Sequence, residues 1–300
     1  MSEAFVLGDW GTSRLRLYRM SGGAMAGRLN GPGTSALETP ADSVLAERLD
    51  LWLTEGPIAD VTLCGMAGAP GALVEAGYAA CPADAATWFA SCTRTCVSGV
   101  PVAVMPGLSC RTGGGVPEVM RGEETQVFGA LSLHPELNEG EHLIALPGTH
   151  SKWVRLVDGT VESFTTHPTG EFFALLAGQS TLTGPDTPGD GTFDSGFTRG
   201  LERTENPLTA ALFEARAARM LDGRSKDWSR GYLSGLLIGS ETASQAACDT
   251  VGGTQVTLIG DPALSALYGR ALSAQGCNVS LLDGDTAVVA GLNLARGKIA

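Results

Sequence analysis

The stretch "FVLGDWGTSRLRLYRM", residues 5–20, decides how the chain is read. Phe5-Val6-Leu7 is a short apolar run suited to a buried strand. From Arg14 onward arginine and leucine alternate with period two, the mark of a strand with one covered face. Between the runs stand Asp9, at the end of the first strand, and a tip of small, hydroxylated residues, Gly11-Thr12-Ser13. The spacing predicts a hairpin whose turn presents backbone N–H groups and hydroxyls, with a carboxylate delivered beside them.

A second stretch, "IALPGTHSKWVRL" at 144–156, repeats the device about 140 residues later: apolar strand, Gly-Thr turn, basic residue, alternating strand. Asp158-Gly159 follows as a hairpin turn between alternating residues. Two copies of one device imply two related halves whose turns line a common cleft. Gly11 and Gly148 let the backbone approach an anion closely, and the N–H groups of Thr12, Ser13 and Thr149 suit phosphate oxygens. Asp9 is a hard oxygen ligand of the kind Mg²⁺ takes when it bridges nucleotide phosphates. A single Gly-Thr tip is also an ordinary hairpin turn; two matched tips, with an acid in only the first, favour the nucleotide reading.

The rest of the chain alternates strands and helices. An amphipathic helix begins after Thr39-Pro40 and stops at Gly56, ahead of a strand at Asp60–Cys64. A strand is expected at Val100–Met105. The Gly-rich "SCRTGGGVPE" is read as a domain boundary, linker or lid. The expected division is residues 1–115 and 116–284. "RGEETQVFGALSL" opens a helix with two acids in its first turn, a strand follows at Leu143–Leu146, and "GEFFALLAGQ" is a helix that Thr169 is placed to cap.

Three hundred residues, 43% of them hydrophobic, bury a large core and suit two domains. No apolar run approaches the roughly 20 residues of a membrane span, and the N-terminus lacks the order of a signal peptide, so a cytoplasmic protein is expected. A net charge of −12 disfavours nucleic acid and anionic membranes as partners; the possibility of a homo-oligomer stays open. The seven cysteines, Cys64, Cys81, Cys92, Cys96, Cys110, Cys248 and Cys277, are scattered and form no CxxC pair, as expected of reduced thiols. Cys92 and Cys96 would share a face if they lay on a helix, but no histidine is near them to complete a metal site.

The duplicated hairpins resemble the actin-like ATPase superfamily of sugar kinases, and the detailed wording is similar to the 2-dehydro-3-deoxygalactonokinase family. Asp9-Trp10-Gly11-Thr12-Ser13-Arg14-Leu15-Arg16 matches the first motif of that family. Met120–Gln126 reads "MRGEETQ", Pro147–Trp153 reads "PGTHSKW", and "TGE" is at 169–171. "LSGLLIG" spans 233–239 and "GDT" spans 284–286. The resemblance implies an α/β protein of two actin-like, ribonuclease H-like lobes with mixed sheets, and an inter-lobe cleft for ATP and Mg²⁺. The implied reaction is transfer of the γ-phosphate to the C6 hydroxyl of 2-dehydro-3-deoxy-D-galactonate.

Such a transfer needs one carboxylate to accept the hydroxyl proton. Sugar kinases of this superfamily place an acid after a glycine at the matching helix start, which singles out Glu123, with Glu124 as the alternative; both would also pass for acids that merely favour a helix N-terminus. The substrate carboxylate needs a cation, and Arg16, Arg121 and Lys152 are the candidates, with Arg14 ranked below Arg16 because the family pattern leaves its position free. Thr169 and Glu171 are placed to bind sugar hydroxyls, and the loop Gly65–Gly71 to add backbone contacts. Gly260 and Asp261, at a strand-to-helix junction, are candidates for adenosine, although Asp261 followed by Pro262 also reads as a helix cap. In "DGDTAVVAGLNLARG" the small residues Ala287, Ala290 and Gly291 suit a close helix crossing, Asp285 is a second candidate metal ligand, and the resemblance implies that helix 285–300 returns to the first lobe. Two other readings use the same scaffold: an exopolyphosphatase-like hydrolase, which this acidic chain suits poorly, and a nucleotide-switched binding protein.

Overall fold

The opening hairpin forms as its alternation requires, and the remaining elements follow from it. The computed structural model describes residues 3–186, 188–248 and 255–299, with only the backbone of 246–248, so that the Cys248 side chain lies outside the described residues. In chain order the elements are β1 (Ala4–Trp10), β2 (Arg14–Ser21), β3 (Ala24–Pro32), α1 (Ala41–Leu53), β4 (Ile58–Gly65), β5 (Tyr78–Ala80), α2 (Ala85–Ala90), β6 (Thr93–Val97), β7 (Val100–Val104), β8 (Gly107–Arg111), β9 (Pro117–Met120) and α3 (Glu123–Leu133). They continue with β10 (Glu141–Leu146), β11 (Ser151–Val157), β12 (Thr160–His167), α4 (Thr169–Gly178), α5 (Phe193–Leu201), α6 (Leu208–Leu212), α7 (Glu214–Leu221), α8 (Lys226–Cys248), β13 (Gln255–Gly260), α9 (Pro262–Ala274), β14 (Asn278–Asp283) and α10 (Gly284–Ile299).

The chain divides into two compact units: residues 1–141 with 154–164 and 284–300, and residues 142–153 with 165–283. The larger sheet runs β3-β2-β1-β4-β7-β6 and the other runs β12-β11-β10-β13-β14. The first five strands of one and all five of the other therefore share a single order, two hairpin-linked outer strands followed by a first, fourth and fifth, which is the tertiary counterpart of the repeated motif. In the first sheet β1 pairs antiparallel with β2 and parallel with β4; in the second, β13 is parallel to both β10 and β14.

Each unit has its own core. In the first, Val6, Trp10, Leu15 and Leu17 of the hairpin pack with Val44, Leu45, Leu49 and Trp52 of α1. In the second, Trp153, Phe197, Ile238, Leu258 and Tyr268 form one cluster, and Trp228, Tyr232, Leu233 and Leu236 belong to a second one among the helices. Two helix crossings are set by glycines. A Cβ on Gly231 or Gly235 of α8 would lie 1.9 or 2.1 Å from the Phe193 or Phe197 carbonyl oxygen of α5. In the first unit, a Cβ on Gly129 of α3 would meet the Ala287 oxygen at 1.9 Å and one on Gly291 of α10 the Thr125 oxygen at 2.0 Å. The small face expected on the last helix is thus the face that lies against α3.

Two local expectations are corrected. Cys92 and Cys96 share no helix, since α2 ends at Ala90 and Cys96 sits in β6. The "SCRTGGGVPE" segment, read as a boundary, linker or lid, is folded as part of the antiparallel hairpin β8–β9. Asp158 and Gly159 turn the β11–β12 hairpin with φ of 47° and 73°, the left-handed pair that a two-residue turn requires. Among the described residues no helix is long and apolar enough to cross a membrane.

Candidate active site

In the first unit the hairpin register places Asp9 of β1 directly opposite Arg16 of β2. The Arg16 guanidinium hydrogen-bonds Asp9 through Nη2 and Asp285, in the first turn of α10, through Nη1. Arg28 stands 3.7 Å from the other oxygen of Asp285. The two acids singled out as metal ligands are therefore brought together, and the cation expected to meet the substrate spends two donors holding them. Arg14, next but one along the strand, is exposed. Cys64 pairs with Asp9 across β4, and its thiol, 3.9 Å from Oδ1, is pushed well above its ordinary pKa by burial and by the Asp9 and Glu124 carboxyls. It is a buried neighbour, not a nucleophile.

The tip of this hairpin is anchored through its carbonyls. Thr34 N–H donates to Gly11 O at 3.2 Å, Ser35 N–H and Oγ donate to Thr12 O at 3.1 and 2.8 Å, and Gly11 N–H donates to Arg14 O. Thr12 and Ser13 are exposed, and their N–H groups have no acceptor among the described residues. Oxygens turned inward and N–H groups turned outward form a concavity suited to an anion.

The start of α3 has a different logic. Its N-cap residue is Gly122, at φ 114°, so no side chain is available there to cap the helix. A Cβ on it would come within 3.4 Å of Gly65 Cα, itself at φ 75° where β4 ends. The two acids that follow fold back instead: Glu123 Oε2 accepts from Arg121 N–H at 3.1 Å, and Glu124 Oε2 accepts from Gly122 N–H at 2.7 Å while Thr125 Oγ1 donates to Oε1. The pair differs in burial. Glu123 is half-buried, whereas Glu124 is fully buried, and burial reinforced by the charge of Glu123 lifts its pKa to about 8. A carboxyl that holds its proton at neutral pH is a poor base there.

Arg121 precedes them. Its guanidinium stacks over the Tyr78 ring at 4.3 Å and donates to Gly77 O at 3.2 Å, while its buried Nη1 has no hydrogen-bond partner among the described residues. A Cβ on Gly68, in the Gly65–Gly71 loop, would lie 2.7 Å from that atom, so glycine there leaves room for it. An unpaired buried donor on a cation is costly unless a ligand satisfies it.

In the second unit the β10–β11 turn carries Gly148 and Thr149. Thr149 O accepts from Glu171 N–H at 3.0 Å, and His150 Nε2 lies 2.8 Å from Glu171 Oε2. A Cβ on Gly170 would sit 2.4 Å from Gly148 O, so the first turn of α4 rests directly on the β10–β11 turn. Thr169 does not cap α4: Pro168 holds that position and Thr169, one residue further, is buried with its hydroxyl on Tyr268. Lys152 is 5% exposed, its ammonium bonded to Thr166 Oγ1 at 2.9 Å. Asp261 caps α9, accepting from Ala263 and Leu264 N–H, with Pro262 in the first turn. Gly260 lies against Pro147.

Beside Gly148 opens a cavity of about 170 Å³, mostly apolar, whose walls include Phe173, Phe193, Leu237, Leu264 and Leu267 with Arg230 at its edge. Leu237 falls within the "LSGLLIG" motif at 233–239, but nothing in the sequence marked Phe193, Leu264 or Leu267 as lining a cavity. The α9 helix that Asp261 caps supplies Leu264 and Leu267, so the junction singled out for adenosine lies one turn from the wall it was meant to form. Among the described residues no three Asp, Glu, His or Cys side chains converge as a ready metal cage.

Two sheets of one strand order, each with a Gly-Thr hairpin turn, define the class by its fold: the actin-like fold that the sugar kinases share. The family model of 2-keto-3-deoxy-galactonokinase matches residues 9–295. A probable 2-dehydro-3-deoxygalactonokinase of Rhizobium meliloti is 40% identical, over 97% of this chain and 96% of its own. The 2-dehydro-3-deoxygalactonokinase of Escherichia coli is 35% identical, over 97% of each chain. The crystal structure of a Sinorhizobium meliloti protein assigned to the same activity superposes with a TM-score of 0.87 at 37% identity, covering 98% of this chain and 99% of that one. The chain belongs to the 2-keto-3-deoxy-galactonokinase family.

Proposed function

We propose that the protein transfers the γ-phosphoryl group of ATP to the C6 hydroxyl of 2-dehydro-3-deoxy-D-galactonate, giving the 6-phosphate and ADP, a phosphotransfer to an alcohol acceptor in galactonate catabolism. The observation that carries this is the family match along nearly the whole chain, residues 9–295. Roles follow from the chemistry. Glu123, half-buried at the start of α3, accepts the hydroxyl proton as the P–O bond forms; Glu124, buried and protonated, supports the helix start. The unpaired Nη1 of Arg121 receives the substrate carboxylate. Phosphate oxygens are received by the N–H groups of Thr12 and Ser13 and by the Gly148-Thr149 turn, and the adenine by the apolar cavity beside Gly148.

Asp9 and Asp285 suit Mg²⁺, a hard cation that takes one or two carboxylates plus phosphates and water. Arg16 occupies one oxygen of each; the second oxygen of Asp9 lies 3.9 Å from the Cys64 thiol and that of Asp285 lies 3.7 Å from Arg28. When bound, the metal would offset phosphate charge during transfer. Arg16 serves this reading as the group that fixes both acids, and Glu171 and Thr169 as braces of the second turn.

The test is ADP release with and without 2-dehydro-3-deoxy-D-galactonate and its gluco epimer, with the product's phosphate position read by NMR. Glu123→Gln should lower kcat at least about 10²-fold with little change in either KM. Equal ATP turnover without any sugar acid would exclude the kinase reading, and full activity of Glu123→Gln would remove that residue as the base.

A further inference from the structure

The most buried acid that the proposed chemistry leaves unused is Glu241, on α8, 4% exposed. Three donors converge on it: Trp153 Nε1 at 2.7 Å on Oε1, and on Oε2 the hydroxyls of Ser151 at 3.1 Å and Tyr268 at 2.8 Å. No cation lies among these partners, and a carboxylate, which only accepts, satisfies all three. Burial, then the Glu241 charge, raises the Tyr268 phenol above its ordinary range, so that hydroxyl stays a donor.

The partners come from two elements, β11 and α9. Ser151 and Trp153 begin β11, immediately after the Gly148-Thr149 turn, and Ser151 also bonds His167 O at the end of β12. Tyr268 comes from α9 and lines the apolar cavity together with Thr169 of the first turn of α4. Thr169 and Gly170 line the same cavity, and Gly170 rests on Gly148. One carboxylate thus ties the turn, the start of α4 and the α9 wall to α8.

We propose that Glu241 is a positioning residue that holds the Gly148-Thr149 turn and the Tyr268 wall in one fixed arrangement for the nucleotide. This rests on the reading that the cavity and turn receive ATP. Loss of the carboxylate leaves the Trp153 indole N–H buried without an acceptor and removes the tie between β11, α9 and α8, although Tyr268 Oη can turn to Ser151 Oγ at 3.1 Å and Ser151 Oγ to His167 O at 3.2 Å; the indole re-pairs only if its wall shifts. Shifted walls weaken nucleotide binding and leave the sugar acid, bound elsewhere, unaffected.

The experiment compares steady-state kinetics and equilibrium binding of a fluorescent ADP analogue in the wild type, Glu241→Ala, Glu241→Gln, Tyr268→Phe and Leu264→Trp, each first shown folded by circular dichroism. Glu241→Ala should raise KM for ATP and Kd for the analogue at least about tenfold, with KM for the sugar acid within twofold. Glu241→Gln, which keeps an acceptor for Trp153 and donates to the two hydroxyls, should recover most of the loss. Tyr268→Phe, which removes one donor and keeps the packing, should give roughly a threefold rise and serves if the alanine variant does not fold. General destabilisation would lower kcat by reducing the active fraction and leave KM for ATP alone; that pattern, or unchanged nucleotide KM in both Glu241→Ala and Tyr268→Phe, overturns the proposal. Leu264→Trp separates the premise: if filling the cavity leaves analogue binding intact, the nucleotide reading of the cavity fails, whatever Glu241 does.

Discussion

Replacing Glu124 by glutamine probes the charge state on which the division of labour at the start of α3 depends. The carboxyl is fully buried, and burial together with the charge of Glu123 moves its pKa from 4.5 to about 8. Below pH 4.5 both the folded and unfolded chains hold this proton and its contribution is complete. Between about pH 4.5 and pH 8 the unfolded chain has released the proton while the folded chain retains it, so stability falls as pH rises, by up to about 1.4 kcal/mol per unit. Over the whole window the loss is on the order of 4 kcal/mol. Glutamine has the shape of the protonated acid, does not titrate, keeps an oxygen for Gly122 N–H and offers its amide to Thr125 Oγ1. Urea unfolding of both proteins at half-unit steps from pH 5 to pH 9 should therefore show little difference at pH 5 and a variant more stable by several kcal/mol at pH 8. A difference that stays flat from pH 5 to pH 8 would mean that Glu124 ionises normally, and the argument that assigns proton acceptance to Glu123 alone would fall with it.

Other outcomes follow from the same geometry. Arg121→Ala should raise KM for the sugar acid at least about tenfold, the usual worth of a charged hydrogen bond, while KM for ATP moves less than twofold; equal changes in both would detach Arg121 from the substrate carboxylate. Gly129→Ala places a methyl 1.9 Å from the Ala287 oxygen, so α3 and α10 must separate, and thermal unfolding should report a loss of roughly 1–3 kcal/mol. Asp261→Ala removes the cap of α9 and should cost about 1 kcal/mol with unchanged kinetics, whereas a selective rise in KM for ATP would return Asp261 to the adenosine site.

Much of the fold could be read before any coordinates. Period-two alternation after Arg14 and after Ser151 specifies hairpins, because a one-residue slip would turn every leucine or tryptophan to the wrong face. Asp158-Gly159 and Asp261-Pro262 are local chemistry, a left-handed turn and a helix cap, and local chemistry survives folding. The Gly-rich hairpin at 107–120 was harder, since three glycines and a proline describe a turn, a linker and a lid equally well until β8 and β9 pair. Thr169 looked like a cap because its neighbours were visible and Tyr268, 99 positions away, was not.

Sequence by itself determined that this chain carries two copies of a strand–turn–strand unit, an acid at the first, and the wording of one kinase family, because such features lie within a few residues of each other. Burial and long-range pairing were decided only by the tertiary structure. It separated Glu123 from Glu124, which are adjacent in sequence and differ only in the low-dielectric surroundings that one of them enters. It turned Arg16 into the clamp of Asp9 and Asp285, residues 276 positions apart. It also gathered Trp153 and Ser151 of β11 and Tyr268 of α9 around Glu241, since a carboxylate's role depends on which donors reach it and those donors come from elements distant in sequence.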